Sequence, residues 1–487
     1  MRDSLKLSEI AARLTGGGQV IGSDPLITGV THDSRAVGPG DLFVAIPGAV
    51  VDGHDYVERA LASGAAAVAV ERDVDCPCRI VVPDARAALP WLAAAAYGDP
   101  SHHLPVVGVT GTNGKTTVTH LVEQIVIASG RTPGVIGTIG ARIGRTEESV
   151  ARTTPEASDL QRLLAEMVDA GVDVAAIEVS SHALSLHRVD AIRFRVAAFT
   201  NLMQDHLDFH GDMDRYFAAK ASLFTRDRAD HAVIGVDDDA GREIAASTAV
   251  PTTTVSVDGD ADITASSIDE SFDGSSFSMN TPTGRFPAHL PIPGKFNVQN
   301  ALVAAAIALT LGIDAEAVVR GLASVTTIPG RFERIAGRDG PTVVVDYAHT
   351  PDAIEAVVGS ARRLSTGRII VVFGAGGDRD REKRPAMGRA AGNADLVVLT
   401  SDNPRSEDPD VILASVRSGM APSTDVVEEV DRRRAIRRGL EAAGPDDLVL
   451  ILGKGHEGGQ EIAGRTEPFD DRVVALEELR SLSEEPA

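Results

Sequence analysis

The stretch from residue 104 to residue 130 constrains the fold more than any other part of the chain. It begins with LPVVGVTG, an apolar and β-branched run that breaks into glycines. It continues as KTTVTHLVEQIVIASG, in which apolar residues recur at helical spacing until Gly130. The first run predicts a buried strand and the second predicts an amphipathic helix. A strand, a glycine-rich loop and a helix in this order predict an α/β domain.

The loop between them, GVTGTNGKTT at 108–117, has the composition of a phosphate-binding loop with a displaced glycine. The usual pattern G-x-x-x-x-G-K-S/T requires a glycine where this chain has Val109. In such loops, backbone N–H groups and the positive end of the helix bind phosphate oxygens. Lys115 is therefore predicted to reach the β- and γ-phosphates of ATP, and Thr116 to bind magnesium. The alternative is a glycine turn before a buried helix.

The length of the chain, its net charge and the lack of long apolar stretches narrow the class of protein. A chain of 487 residues predicts about three domains at roughly 100 to 200 residues each. Its formal net charge of −23 argues against a nucleic-acid or anionic-membrane partner. No stretch approaches the ~20 apolar residues that span a bilayer, and the N-terminus lacks the apolar core of a signal peptide. We expect a cytoplasmic monomer that acts on small molecules, in which Cys76 and Cys78 are structural because no second cysteine pair completes a zinc site.

Strand-like runs alternate with helical segments along the rest of the chain. VDVAAIEV, VAAFTNL and HAVIGV predict a largely parallel central sheet, and after residue 330 a new series reads TVVVDYAHTP, RIIVVFGAGGDRD, ADLVVLTSDNPR and DLVLILGKGHE. Ligands bind beyond the carboxyl ends of strands in open α/β sheets, so these four charged loops are expected to converge on one edge. We predict an α/β protein with domains at 1–103, 104–330 and 331–487. The central domain is expected to be P-loop ATPase-like with a mostly parallel sheet, and the last to be Rossmann-like.

A second group of chemically active residues lies in EVSSHALSLHRVD and NLMQDHLDFHGDMDRYFAAKASLF. Glu178 ends a predicted buried strand, where a carboxylate is costly unless it meets a cation or a metal. His206 and His210 are four residues apart, so on a helix they would share one face, as zinc ligands do. A polar loop with surface histidines explains the segment equally well. Beside an ATP loop, magnesium is favoured over zinc.

A series of short motifs occurs here in the order in which the Mur ligases carry them: TGTNGKTT, EVSSHAL, DHLDFHG, YFAAKASLF, GKFNVQNALVA, PGRFE, DYAHTP, GAGGDRD, SDNPR and GKGHE. The chain therefore resembles this family of cytoplasmic, ATP-dependent, amide-forming enzymes of peptidoglycan synthesis over nearly its whole length. The displaced glycine is the family's own form of the loop. The narrower resemblance is to the ligase that adds the third residue to UDP-N-acetylmuramoyl-L-alanyl-D-glutamate. It implies that ATP phosphorylates a carboxylate and that an amine attacks the acyl phosphate.

The resemblance assigns roles to the residues of the nucleotide and metal sites. ATP would be bound by Gly111, Thr112, Asn113, Gly114, Lys115, Thr116, Thr117, Asn297, Asn300, Arg331, Asp346, Tyr347 and His349. Magnesium would be bound by Thr116, Glu178, His206 and Lys220, the last carried as a carbamate, N6-carboxylysine. Without that modification, Lys220 is an ordinary surface lysine on an amphipathic helix. The implied catalytic residues are Lys115, Glu178, His206, Lys220 and Arg331.

The resemblance also assigns the residues that bind the other two substrates. The UDP-sugar dipeptide would be bound by Ser34, Ala49, Val50, Val51, Thr153, Thr154, Ser180 and Arg188. The amino acid would be bound by Arg379, Asp402, Asn403, Pro404, Arg405, Gly453 and Glu457. meso-Diaminopimelate differs from lysine by a second carboxylate, and Arg405 offers that group a planar bidentate contact. Diaminopimelate is therefore the predicted amino acid, and L-lysine is the alternative.

Other ATP-binding classes explain fewer of these features. A P-loop motor, a transporter ATPase or a regulatory ATP-binding module gives no reason for charged loops at the strand ends of a third domain. Folylpolyglutamate synthetase is a closer rival, because it belongs to the same superfamily of ligases. The motifs SDNPR and GKGHE favour the muramyl ligase.

Overall fold

The computed structural model describes residues 4–14, 17–48, 51–336 and 340–484. Three large β-sheets follow one another along the chain, and helices cover their faces. The α/β class and the mostly parallel central sheet are confirmed. The domain boundaries placed after residues 103 and 330 stay predictions. Within the described ranges, no helix has the length and apolar character needed to cross a bilayer.

The first sheet belongs to the N-terminal part of the chain. Its elements are β1 (Leu5–Lys6), α1 (Leu7–Ala11), β2 (Gln19–Gly22), β3 (Leu26–Ile27), β4 (Gly29–Thr31), β5 (Asp41–Val44), α2 (Val57–Ala62), β6 (Ala67–Val70), β7 (Cys78–Val81) and α3 (Ala85–Ala96). The strand order is β2-β7-β6-β5-β4, and β4 to β7 are parallel. Cys76 and Cys78 are buried free thiols in this region.

The central sheet has eleven strands. Its elements are β8 (Val106–Thr110), α4 (Lys115–Ala128), β9 (Pro133–Gly137), β10 (Gly140–Ile143), β11 (Thr146–Glu148), α5 (Ala157–Asp169), β12 (Val174–Glu178), α6 (Ser181–Ser185), β13 (Val196–Phe199), α7 (Leu207–His210), α8 (Met213–Ala221), β14 (Ala232–Gly235), α9 (Asp239–Ser247), β15 (Thr252–Ser256), β16 (Ile263–Ser271), β17 (Gly274–Thr281), β18 (Gly284–Leu290), α10 (Lys295–Thr310) and α11 (Ala315–Ala323). The order is β11-β10-β9-β12-β8-β13-β14-β15-β16-β17-β18.

Strand β8 lies inside the parallel part of this sheet, and all five of its residues are buried. The predicted strand, loop and helix around residue 110 are therefore β8, the loop 111–114 and α4. In the order of the sheet, neighbouring strands are parallel from β9 through β12, β8, β13, β14 and β15 to β16. Strands β10 and β11 at one edge, and β17 and β18 at the other, pair antiparallel. These hairpins were not predicted, because β16 is a polar sequence of mostly half-buried and exposed residues instead of an apolar run.

The third sheet carries the C-terminal loops. Its elements are β19 (Glu333–Ala336), β20 (Thr342–Asp346), α12 (Pro351–Leu364), β21 (Ile369–Phe373), α13 (Lys383–Ala391), β22 (Leu396–Leu399), α14 (Pro409–Arg417), β23 (Val426–Glu428), α15 (Arg432–Glu441) and β24 (Leu448–Leu452), followed by the hairpin of β25 (Gly459–Ile462) and β26 (Arg465–Pro468) and by α16 (Asp471–Glu484). The order is β19-β20-β24-β21-β22-β23, parallel from β20 onward. The loops after β20, β21, β22 and β24 therefore leave the same edge of the sheet.

Candidate active site

The glycines of the loop 111–114 are required by its backbone shape. Gly111 has φ +145° and Gly114 has φ +88°, conformations that other residues rarely adopt. A Cβ atom on Gly114 would also lie 2.3 Å from Oδ1 of Asn300. Helix α4 begins at the next residue, so its free N–H groups and positive end face the loop. The loop is thus shaped to bind an anion.

Two lysines meet on the inner side of this loop. Lys115 Nζ donates to the carbonyl oxygens of Gly111 (2.9 Å) and Thr112 (2.7 Å). Lys220 Nζ, from α8, donates to the same Gly111 oxygen at 2.7 Å. Lys220 is only 1% exposed, so its interpretation as a surface lysine is wrong. Burial, together with the charge of Lys115, holds the pKa of Lys220 well below its usual value, which favours the neutral amine.

A buried carboxylate lies beside the first turn of α4. Glu178 Oε2 accepts hydrogen bonds from the hydroxyls of Thr116 (2.9 Å) and Thr138 (3.0 Å), and Oε1 accepts one from the Thr138 N–H at 2.8 Å. Arg331 NH2 donates to Thr116 Oγ1 at 3.0 Å. Thr138 was not predicted, because it lies in the loop after β9 with no motif around it. Its two hydrogen bonds fix the orientation of the Glu178 carboxylate.

Only one of the two histidines of DHLDFHG lies on a helix, because α7 begins at Leu207. His206 is the residue before α7 and has φ +56°, a left-handed conformation. Both rings lie against His182, with centroid distances of 4.8 Å for His206 and 5.7 Å for His210, and His210 Nε2 also lies 3.0 Å from Ser181 Oγ. Burial lowers the pKa of His206 to about 3, so its imidazole is neutral and able to bind a cation.

The donors in this region suit a cation that keeps much of its solvent shell. Among the described residues, no group of three or more His, Cys, Asp or Glu side chains is arranged to hold a metal ion. The carboxylate of Glu178 and the hydroxyl of Thr116 are the hard oxygen donors at the start of α4. Magnesium commonly binds through one or two carboxylates, substrate phosphates and waters, so these residues fit it better than zinc.

A first cleft opens beside the loop, between the central and third sheets. Its predicted members are Asn113, Gly114, Thr117, Asn297, Asn300, Arg331, Asp346 and Tyr347. Further lining residues that were not predicted include Asn201, Met203, Asp237, Asp238, Phe296 and Gln299. The loops after β13 and β14 supply the first four of these, since both strands end at the same edge as β8. The order of parallel strands, which a sequence does not show, brings them there.

Asp346, the last residue of β20, and Tyr347 lie where the third sheet meets the first cleft. Asp346 accepts hydrogen bonds from the N–H groups of Phe332 (2.6 Å) and Ala348 (2.7 Å), and burial raises its pKa. The guanidinium of Arg331 lies 4.6 Å from the centroid of the Tyr347 ring. His349 was predicted to border the nucleotide. In the structure it lines the second cleft, where its Nε2 lies 3.5 Å from Asp205 Oδ2.

The second cleft lies at the carboxyl ends of β21, β22 and β24. The structure brings six predicted residues together in its wall: Arg379, Asp402, Asn403, Arg405, Gly453 and Glu457. Pro404 is the residue between two of these and contacts Gly377 through its backbone. The wall also contains Asp205, His206, Asp208, Asp380 and Lys383. A cleft that exposes both guanidinium and carboxylate groups suits a small zwitterionic ligand.

Asp205 joins the central sheet to the third sheet. Its Oδ1 accepts a hydrogen bond from Lys383 Nζ at 2.8 Å, and its Oδ2 faces His349. Burial opposes the charge of Asp205, but the contacts with His349 and Lys383 hold its pKa well below the usual value. Lys383 was missed because nothing in GAGGDRDREK distinguishes a buried lysine from a solvated one. The pair joins the loop after β13 to the start of α13.

The residues predicted for the UDP-sugar dipeptide fall into two places. Ser34 and Val51 line a surface pocket of the first sheet, and Ala49 and Val50 lie outside the described residues. The others lie near the end of β12, where hydrogen bonds connect Thr154, Ser180 and Arg188, and Thr153 accepts one from the Thr138 hydroxyl. Thr154 donates to the Glu178 carbonyl oxygen at 2.7 Å, and Arg188 pairs with Glu156 at 2.9 Å. Both side chains are buried, so they hold the strand end in place.

The comparisons with known proteins agree with this geometry. Family models match residues 26–97 (Mur ligase family, catalytic domain), 109–308 (Mur ligase middle domain) and 330–455 (Mur ligase, glutamate ligase domain). The UDP-N-acetylmuramoyl-L-alanyl-D-glutamate--2,6-diaminopimelate ligase of Geobacillus thermodenitrificans is 43% identical over 97% of this chain and 98% of its own length. The ligase of the same name from Streptomyces coelicolor is 46% identical over 93% and 92%.

The solved structures include a protein with that name. It is 33% identical in sequence and superimposes with a TM-score of 0.69 over 99% of this chain and 100% of its own. Identity above 40% over nearly the full length of both chains excludes a match through the ATP-binding domain alone. The chain belongs to the Mur ligase family.

Proposed function

We propose that the chain is an ATP-dependent ligase that joins meso-2,6-diaminopimelate to UDP-N-acetylmuramoyl-L-alanyl-D-glutamate in cytoplasmic peptidoglycan precursor synthesis. One observation carries this proposal. The first cleft, beside the phosphate loop, and the second cleft, with its mixed charges, share Tyr347 as a common wall. A nucleotide and an amino acid bound there would be neighbours, as a ligation that activates one substrate for attack by another requires.

The side chains at the loop suit transfer of a phosphoryl group from ATP to a carboxylate. Lys115 and Arg331 place two cations at the start of α4, where the γ-phosphate of a bound nucleotide would lie. Thr116 and Glu178 would hold magnesium, which supplies further positive charge to the phosphates. The substrate carboxylate displaces ADP at phosphorus, and the amine of the amino acid then displaces phosphate at the acyl carbon. The amine loses one proton as the amide bond forms, and this proton leaves with the phosphate or passes to solvent.

The position of Lys220 supports its modification. A neutral, buried amine can add to carbon dioxide, forming an N–C bond and releasing one proton, to give a carbamate anion. The buried Nζ of Lys220 contacts a carbonyl oxygen and the Tyr216 ring, with its nitrogen 4.5 Å from the ring centroid. An anion at this position would attract Lys115 and a magnesium ion, which an ammonium group would repel. We therefore place the carbamate at Lys220, beside the phosphate loop.

The charges of the second cleft match an amino acid with two carboxylates and two ammonium groups. Arg405 and Arg379 supply cations for carboxylates, and Asp402 and Glu457 supply anions for ammonium groups. Glu457 is held in place by Asn403 Nδ2 at 2.9 Å and Lys454 Nζ at 3.0 Å. Lysine would leave a guanidinium without its carboxylate, which costs binding energy in a partly buried site. Diaminopimelate satisfies both kinds of group.

The ion pair of Asp205 and Lys383 joins the loop after β13 to α13 in the wall of the second cleft, and it would hold the C-terminal domain closed over the acyl phosphate. Closure excludes water, which would otherwise hydrolyse the intermediate.

The pocket around Ser34 on the first sheet is the proposed site of the uridine diphosphate.

The selectivity of the second cleft tests the proposal. We expect wild-type protein to prefer meso-diaminopimelate to L-lysine. We expect Arg405→Ala to raise the KM for diaminopimelate by about 10²-fold, because a charge-assisted bidentate contact is lost. Steady-state rates with each amino acid, at saturating ATP and UDP-linked dipeptide, measure this. Efficient wild-type use of lysine, or an unchanged preference in Arg405→Ala, would refute the assignment.

A further inference from the structure

The guanidinium of Arg405 is held on two sides by the protein itself. Its Nε donates to Glu461 Oε2 at 3.1 Å, and its NH1 donates to the Gly377 carbonyl oxygen at 2.7 Å. Among the residues that the structure describes, none forms a hydrogen bond with NH2 of Arg405. Only 20% of the Arg405 side chain is exposed, against 43% of Glu461. The guanidinium therefore has a fixed plane and retains hydrogen-bonding capacity toward the cleft.

Glu461 reaches Arg405 from outside the cleft. Within the described part of the chain, Glu461 is not among the residues that line the second cleft, whereas Arg405 is. The carboxylate therefore leaves the cleft side of the guanidinium accessible to a ligand. It neutralises part of the Arg405 charge and fixes the plane of the guanidinium that a ligand carboxylate would meet.

The backbone beneath this pair is also constrained. Arg405 has φ +51°, a left-handed conformation that is unfavourable for an arginine. It persists because the Arg405 N–H donates to the Glu461 carbonyl oxygen at 3.0 Å and the Ala463 N–H donates to the Arg405 carbonyl oxygen at 2.7 Å. The Glu461 N–H in turn donates to Asn403 Oδ1 at 2.9 Å. Strand β25 thus holds the backbone of Arg405, and the Glu461 carboxylate holds its side chain.

We propose that Glu461 is a positioning residue that sets the selectivity of the second cleft by orienting Arg405 toward the distal carboxylate of the amino acid. This inference rests on the proposed function, because it presumes that Arg405 binds that carboxylate. Glu461 acts through Arg405 and makes no contact with the substrate. An orienting group of this kind affects binding of the dicarboxylic amino acid and leaves the phosphoryl chemistry unchanged.

Substitution at this position keeps the hairpin intact, because the two hydrogen bonds of the Glu461 backbone remain in any variant. We expect Glu461→Ala to raise the KM for meso-diaminopimelate about tenfold with kcat within about twofold of wild type, since a mispositioned contact weakens binding. The KM values for ATP and L-lysine should not change.

Two further variants serve as comparisons. Glu461→Gln keeps an acceptor for the Nε of Arg405, and its KM for meso-diaminopimelate should stay within about threefold of wild type. Glu467→Ala, exposed on β26 of the same hairpin, is the matched control.

Steady-state kinetics of the full-length wild type and these three variants decide between the outcomes. An unchanged KM for diaminopimelate in Glu461→Ala would overturn the inference, and a lower KM would show that Glu461 competes with the substrate. A Gln variant as impaired as the Ala variant would show that charge and not orientation matters, which also contradicts the proposal. A wild-type enzyme that does not prefer diaminopimelate would instead refute the proposed function on which the inference rests.

Discussion

Lys115→Ala is expected to lower kcat for ligation by a factor on the order of 10³ or more, because it removes a cation that stabilises the transferring phosphoryl group. The loop itself should survive. Its shape depends on Gly111, Gly114 and their packing, and the loss of two hydrogen bonds to the carbonyl oxygens of Gly111 and Thr112 lowers the free energy of unfolding by about 1 to 3 kcal/mol. Phosphate release in the complete reaction measures the rate, and thermal unfolding measures the stability.

The matched control is Lys6→Ala, which removes a lysine in the N-terminal region, far along the chain from the loop. It should leave both the rate and the unfolding temperature at wild-type values. Substantial ligation by folded Lys115→Ala would contradict the placement of the γ-phosphate at the loop.

Lys220→Ala is expected to be nearly inactive, with a loss also on the order of 10³-fold in kcat, because the anion that supports the metal is gone. Added bicarbonate should not restore the rate, since alanine has no amine to modify. A small carboxylate such as acetate or formate should restore part of it by occupying the space left by the carbamate. Rates measured with increasing acetate test this, and an acetate effect of equal size on wild type would contradict it.

A direct measurement accompanies this prediction. Carbon-13 NMR of wild-type protein in labelled bicarbonate should give one carbamate signal that Lys220→Ala lacks. Lys454 is an internal control, because it is also fully buried but pairs with Glu457 at 3.0 Å and should stay unmodified. An unmodified Lys220 in the active, magnesium-bound enzyme would exclude the carbamate.

The sequence predicted local features well, because their causes are local. The loop between β8 and α4 needs glycines at fixed positions, so its motif predicts its shape. The polar segments after β20, β21, β22 and β24 lie on one edge, because parallel strands in one sheet have their carboxyl ends together. The prediction of an α/β fold with a mostly parallel central sheet followed from the same patterns and is confirmed.

Features that depend on distant parts of the chain were missed. Thr138 orients Glu178 across forty positions of sequence, and Lys383 pairs with Asp205 across 178. Spacing alone also placed His206 on a helix with His210, whereas His206 precedes α7 in a left-handed conformation. These features depend on strand order and on backbone conformations that no short motif specifies.

The most direct test of the central claim is the dependence of ATP turnover on both other substrates. Purified protein with ATP and magnesium should release phosphate only when UDP-N-acetylmuramoyl-L-alanyl-D-glutamate and meso-diaminopimelate are both present, with one UDP-linked tripeptide formed per phosphate. In a panel of amino acids, diaminopimelate should give the highest kcat/KM. Sustained ATP hydrolysis without the dipeptide, or equal use of L-lysine, would contradict the account.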